Sequence, residues 1–127
     1  MQGLVDFETV AKHEIGHALG FVSQVDAIDG AASGAVGVST LDLFRFDSTA
    51  GNNPSSSADF TSKPRDLRPG GIQVFDDLSG TEYLFSTGLT QGDGRQASHW
   101  KDNLGLGLMD PTLTTRTVST SGSYDDA

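Results

Sequence analysis

Two histidines four residues apart, His13 and His17, lie in the one stretch of this chain that carries both a helix start and a helix stop. Asp6 stands before Phe7 as a cap whose carboxylate can accept from the first turn and is favoured by the positive end of the helix dipole. Val5 ahead of that cap and Val10 beyond it are spaced for a hydrophobic staple. Gly20 closes the run with the residue that most readily takes left-handed backbone after a last turn. A helix over 6–20 is expected, and it sets His13 and His17 one turn apart on a single face. The rest of the fold has to be built around that face.

Nothing after residue 20 has comparable periodicity. The small residues of 29–37 and the Gly/Asn/Pro/Ser-rich stretch 50–57 read as loops. The aromatic and aliphatic content of 40–47 predicts a short strand, as does that of 72–75 and 82–86, each bounded by Gly or Asp turns. A turn follows over 91–95, then an apolar, Gly-spaced segment at 104–113 and a polar tail at 118–127. With 127 residues, 35% of them apolar and 16 of them glycine, the chain can bury one small core of loop-rich α+β character. No internal repeat or domain boundary is visible. The formal charge of −9, from 17 acidic and 8 basic side chains, argues against nucleic acid and anionic membranes as partners. The same surplus suits solubility or cation binding. No apolar run has the length of a membrane span or of a signal-peptide core. There is no cysteine, so any metal must be held by histidine and carboxylate.

His13-Glu14-Ile15-Gly16-His17 has the form H-E-x-x-H. Two neutral imidazole nitrogens one helical turn apart can take adjacent corners of a zinc tetrahedron. Glu14, beside the first of them, can accept a proton from water at the open corner. The plain alternative is an amphipathic helix that carries these residues by accident, and a chance match in so short a chain is below roughly one per cent. A catalytic zinc takes three protein ligands. The remaining histidine is His99, in Ala97-Ser98-His99-Trp100-Lys101. The carboxylates of Asp26, Asp29 and Glu82 compete with it for that role.

Extended to Gly20-Phe21, the motif resembles that of the metzincin clan of zinc metallopeptidases. Most metzincins place their third ligand three residues after the glycine, where this chain has Ser23. Leishmanolysin-like peptidases instead insert a long segment before a His-Trp pair and a Leu-Met turn. His99-Trp100 and Leu108-Met109-Asp110-Pro111 are similar to that pattern, with 82 positions between His17 and His99 (99 − 17). The resemblance covers 5–25 and 97–113 well, and Asp42-Leu43-Phe44-Arg45-Phe46 looks like bacterial secreted relatives. It implies a zincin-like catalytic core with an active-site helix at 6–20, an insertion at 24–98, and the third ligand with a Met-turn at 99–113. It further implies one catalytic Zn2+ on His13, His17 and His99, Glu14 as general base, Met109 as the floor beneath the metal and Gly20 as the turn ending the helix. The substrate would be a protein or peptide and the setting extracellular or cell-envelope. No oxyanion partner is selected between Tyr83 and Tyr124. Metzincin domains have a sheet ahead of this helix and a further helix after the Met-turn. Residues 1–127 are therefore expected to be the central part of one catalytic domain, with Val10, Ala18 and Leu19 poorly covered. The rival readings are a non-catalytic zinc module, closed by Asp26 or Asp110 as fourth ligand, an inactive fragment of a secreted surface protein, and an acidic calcium-binding or adhesion domain. The last lacks a D-x-[DN]-x-[DN]-G loop.

Overall fold

A computed structural model describes residues 6–30, 34–49 and 51–112. Among these residues the arrangement is α+β, with three α-helices and one three-stranded antiparallel sheet. Helix α1 spans Phe7–Ala18, α2 Val25–Gly30 and α3 Ser57–Ser62; the strands are β1 Phe46–Asp47, β2 Gln73–Asp76 and β3 Glu82–Leu84.

The sequence signals at α1 work as expected. Asp6 has extended backbone and accepts from Glu8 N at 3.2 Å and from Thr9 Oγ1 at 2.8 Å. Leu19 caps the other end, and Gly20 follows at φ +114°, a region that side chains with a Cβ avoid. Val5 lies outside the described residues, so the staple does too. The helix face turned away from the histidines is bare. Phe7 is 82% exposed, Ile15 55% and Leu19 83%. Ala18 is exposed as well, and Val10 is half-buried.

Three expectations need correction. The stretch 40–47 is not one strand: Leu41–Phe44 forms a 3-10 turn and only Phe46–Asp47 pairs. The cause is Asp42, fully buried, whose carboxylate accepts from Ser39 N at 2.8 Å, Ser39 Oγ at 2.9 Å and Ser23 Oγ at 2.7 Å. Those local bonds tighten the chain where propensity alone favours extension. The loop at 29–37 loses its first two residues to α2. The loop at 50–57 gives up Ser57 to α3, whose cap Ser56 accepts from Asp59 N at 3.1 Å. That Ser-x-x-Asp spacing is a helix-start signal sitting inside an otherwise loop-like composition.

The sheet has the order β1-β2-β3. Phe46 lies opposite Val74, and Val74 opposite Leu84. Beyond β3 the pairing continues as a bridge between Phe85 and Trp100, with Lys101 N donating to Leu84 O at 2.8 Å and Ser86 N to His99 O at 3.0 Å. Trp100 N then reaches Met109 O at 3.0 Å. A line of backbone bonds thus runs from β1 to the residue after His99 and on to the 107–110 turn. Val25, Phe46, Val74, Phe85 and Ala97 are buried along it. Trp100 stacks on Phe85 with centroids 4.8 Å apart, and Phe21 meets the same indole at 5.1 Å.

Candidate metal centre

Helix α1 supplies His13 and His17, and the segment bonded along β3 supplies His99. Their Nε2 atoms form a near-equilateral triangle with sides of 3.2, 3.3 and 3.2 Å. Three nitrogens bound to one tetrahedral zinc at ~2.0–2.1 Å stand about 3.3–3.4 Å apart. The triangle therefore has the dimensions of a three-histidine metal site. These three are the group among the described residues whose donor atoms converge closely enough to hold an ion.

The other ring nitrogens explain why the triangle cannot be a hydrogen-bond network of neutral rings. His13 Nδ1 lies 2.7 Å from Leu108 O, His17 Nδ1 2.7 Å from Phe21 O and His99 Nδ1 3.2 Å from Gln96 O. A carbonyl oxygen can only accept, so each Nδ1 carries a proton, and in the neutral ring the Nε2 is left with a bare lone pair. Three bare lone pairs pointing at one another repel, and a cation between them removes the repulsion. The same carbonyls fix the tilt of each ring, as outer partners of metal-bound imidazoles do. The residues present thus fit a zinc ion in donor type, spacing and tautomer.

Burial differs around the site. His13 and His99 are 8% and 7% exposed, while His17 is half-buried and Glu14 exposed. Glu14 lies roughly 60° round the helix from His17 at 3.6 residues per turn, at the rim of the ligand face. Burial first, and then the neighbouring His17 and His13, push the pKa of His99 down; the Gln96 carbonyl and Asp26 act against them. The neutral, metal-binding form is the one the fold favours.

Met109 is buried beneath α1, where a Cβ on Gly16 would overlap its sulfur. Its turn closes with Asp110 N donating to Gly107 O at 3.0 Å. The preceding residue supplies the carbonyl that orients His13, so the turn both packs against the helix and holds the His13 ring.

The competing carboxylates have other partners. Asp26 accepts from Ala97 N at 2.6 Å, Ser98 N at 3.1 Å and Ser98 Oγ at 2.6 Å. Asp29 holds Thr90 N and Gln91 N at 2.7 and 2.6 Å. Glu82 is on β3, bonded to Asn53 Nδ2 at 2.6 Å. Neither Asp26 nor Asp110 joins the histidine group. Tyr83 packs between Phe75 and Trp100 at 6.0 and 6.2 Å, and Tyr124 lies outside the described residues. What the residue pattern did not reveal is the layer behind the ligands. Leu108, Phe21 and Gln96 act through main-chain oxygens, which leave no mark in a sequence, and Asp26 was legible only as a competitor. None of the described helices is long and apolar enough to cross a membrane.

No protein family, no curated protein and no solved structure matches this chain.

Proposed function

We propose that this chain is the zinc-binding and catalytic part of a metalloendopeptidase of the metzincin type, similar to leishmanolysin in drawing its third ligand from a distant His-Trp pair. The observation that carries the reading is the triangle of bare Nε2 atoms at 3.2–3.3 Å. His13, His17 and His99 would hold the ion. Among the described residues no carboxylate closes a fourth protein position, which favours a catalytic over a structural site. Zinc, when bound, supplies Lewis acidity: it polarises a carbonyl and makes water acidic enough to be deprotonated near neutral pH. The chain's own residues do the rest. The carboxylate of Glu14 takes a proton from the attacking water and delivers it to the departing amine nitrogen. The three carbonyl partners keep the ligand rings in place during that exchange. The face near His17 and Glu14 is the accessible one, so an extended peptide would approach there.

The test is metal analysis combined with Glu14→Gln. One zinc per chain is expected in the unaltered protein, and the variant should keep it while peptide hydrolysis falls by about 10²–10⁴-fold. Hydrolysis that survives the substitution removes Glu14 from the mechanism. A chain that takes up no zinc removes the reading altogether.

A further inference from the structure

We propose that Asp26 is the positioning residue of the third ligand, acting on His99 through the peptide that joins Gln96 to Ala97; the inference rests on the metal reading above. The Asp26 carboxylate on α2 accepts the Ala97 N–H at 2.6 Å. The carbonyl of that same peptide, Gln96 O, accepts from His99 Nδ1 at 3.2 Å. Carboxylate, peptide group and imidazole form one line of hydrogen bonds that ends at the Nε2 facing His13 and His17. An anion on the N–H end polarises the peptide and makes its carbonyl a stronger acceptor. Outer carboxylates that orient a ligand histidine usually touch its ring; here one backbone unit stands between.

The next peptide is gripped as well. Ser98 N donates to the second oxygen of Asp26 at 3.1 Å, while Ala97 O accepts from Arg45 Nη1 at 2.9 Å. The Gln96–Ala97 peptide is thus held by an anion, and the Ala97–Ser98 peptide between that anion and a buried cation. The need for such a device is local. His13 and His17 have their backbone fixed by α1 and need only the Leu108 and Phe21 carbonyls to set their rings, whereas His99 belongs to none of the described helices or strands. Without an external hold, its ring would lose conformational freedom only on binding the ion, and affinity would fall by that cost.

Asp26→Asn in the full chain keeps the size of the side chain but removes its charge and one acceptor. Zinc affinity, read by competition with a chromophoric chelator, is expected to fall about 10- to 100-fold. In a His99→Ala background the same substitution should leave the residual affinity unchanged, because an effect exerted through His99 disappears with it. Ser98→Ala, which removes only the hydroxyl contacts to Asp26 and Ser23, should stay within about threefold of the unaltered chain. Unaltered affinity in Asp26→Asn overturns the proposal while leaving the metal site intact. Equal losses in both backgrounds overturn it too, since they mark a general structural role. Should Asp26→Asn not fold, the unaltered chain decides by NMR. On zinc loading, the Ala97 amide proton should move downfield relative to the Thr90 and Gln91 amides, which bond to Asp29 and lead to no ligand. Equal shifts count against the proposal, and a chain that binds no zinc overturns it together with the metal reading.

Discussion

Gly16 offers a substitution whose sign differs between helix propensity and packing. It sits inside α1 between the two histidines, where alanine is favoured over glycine by about 1 kcal/mol. Propensity alone makes Gly16→Ala stabilising. The structure opposes this: the new Cβ would overlap Met109 Sδ and lie 3.2 Å from its Cε and 3.7 Å from its Cγ. Met109 is only 7% exposed, and its carbonyl is tied to Trp100 N at 3.0 Å. The backbone of the turn cannot simply retreat, so the sulfur must be driven into packed surroundings. Overpacking of this kind costs roughly 1–3 kcal/mol, which against a gain of about 1 leaves a net loss of roughly 0–2 kcal/mol. That corresponds to a fall of up to about 10 °C in Tm for a domain of this size. The adjacent Leu108 carbonyl, 2.7 Å from His13 Nδ1, would shift with the turn, so zinc affinity should fall as well. Thermal melts and zinc competition on Gly16→Ala, Met109→Ala and the double variant measure both effects. The double variant should be better than the sum of its parts, because the added methyl occupies space the thioether vacates. A Gly16→Ala chain that melts higher than the original and binds zinc equally well would show that the methionine does not support the helix here.

Two further outcomes follow from buried groups. His99 has its pKa held below the ordinary value of about 6.5, so between the two values the unfolded chain binds more protons than the folded one. Its contribution to stability is present above about pH 6.5 and declines as pH falls below that value. Melts of the metal-free chain between about pH 7 and 5 should show the decline, and His99→Ala should flatten it; an identical slope in both would refute the assignment. Arg45→Met removes a fully buried guanidinium that donates to Ala97 O at 2.9 Å, Ser86 O at 2.7 Å and Gln73 Oε1. Burial pushes its pKa down to about 10, so it is still charged at neutral pH. The loss should be on the order of 3–5 kcal/mol, because buried acceptors are left without donors. A melt within a few degrees of the original would show that those acceptors find other partners.

The parts of the molecule that could be read from residues are those whose determinants are local. The start of α1 is set by Asp6 and its end by Gly20, each acting within a turn of itself, and both stand where the sequence puts them. The strands β2 and β3 were legible from short apolar runs between turns. Residues 40–47 failed for a different reason. Their fold depends on Asp42 accepting from Ser23 and Gln24, 19 and 18 positions away, and no window of propensity contains that contact. His99 is intermediate. Its presence near the helix histidines followed from ligand arithmetic and the family resemblance. The route that delivers it combines the backbone pairing of Phe85 with Trp100 and the distant side chains of Asp26 and Arg45 that hold Ala97, none of which the residue pattern encodes.

That route also revises what the acidic composition does. Read as a sequence, 17 acidic residues suggest a solvated surface or a taste for cations. Five of the aspartates, Asp29, Asp42, Asp47, Asp66 and Asp76, are instead buried. Asp29, Asp42, Asp47 and Asp66 each accept backbone N–H groups of irregular segments, and Asp76 accepts from Leu78 N at 2.6 Å. A chain with 35% apolar residues and long loops has many main-chain donors that no sheet or helix satisfies. Buried carboxylates are compact acceptors able to take several at once, so they serve where a hydrophobic core is thin. The pKa values of Asp29, Asp47 and Asp66 are lowered accordingly: hydrogen bonds lead at Asp47, and at Asp29 and Asp66 they outweigh the opposing effect of burial. With folded pKa below unfolded pKa, the stability they contribute is present above about pH 4 and is lost as pH falls through the folded values. Acid should therefore loosen the irregular segments those carboxylates hold, at Thr49, Arg68 and Thr90–Gln91, as well as protonate His99. The two effects separate on the pH axis: protons displace zinc from the histidines first, at mildly acid pH, and the backbone network fails later, below about 4. Zinc release and far-ultraviolet circular dichroism followed over one acid titration should show two steps in that order. A single coincident transition would mean that the carboxylate network and the metal centre are one cooperative unit.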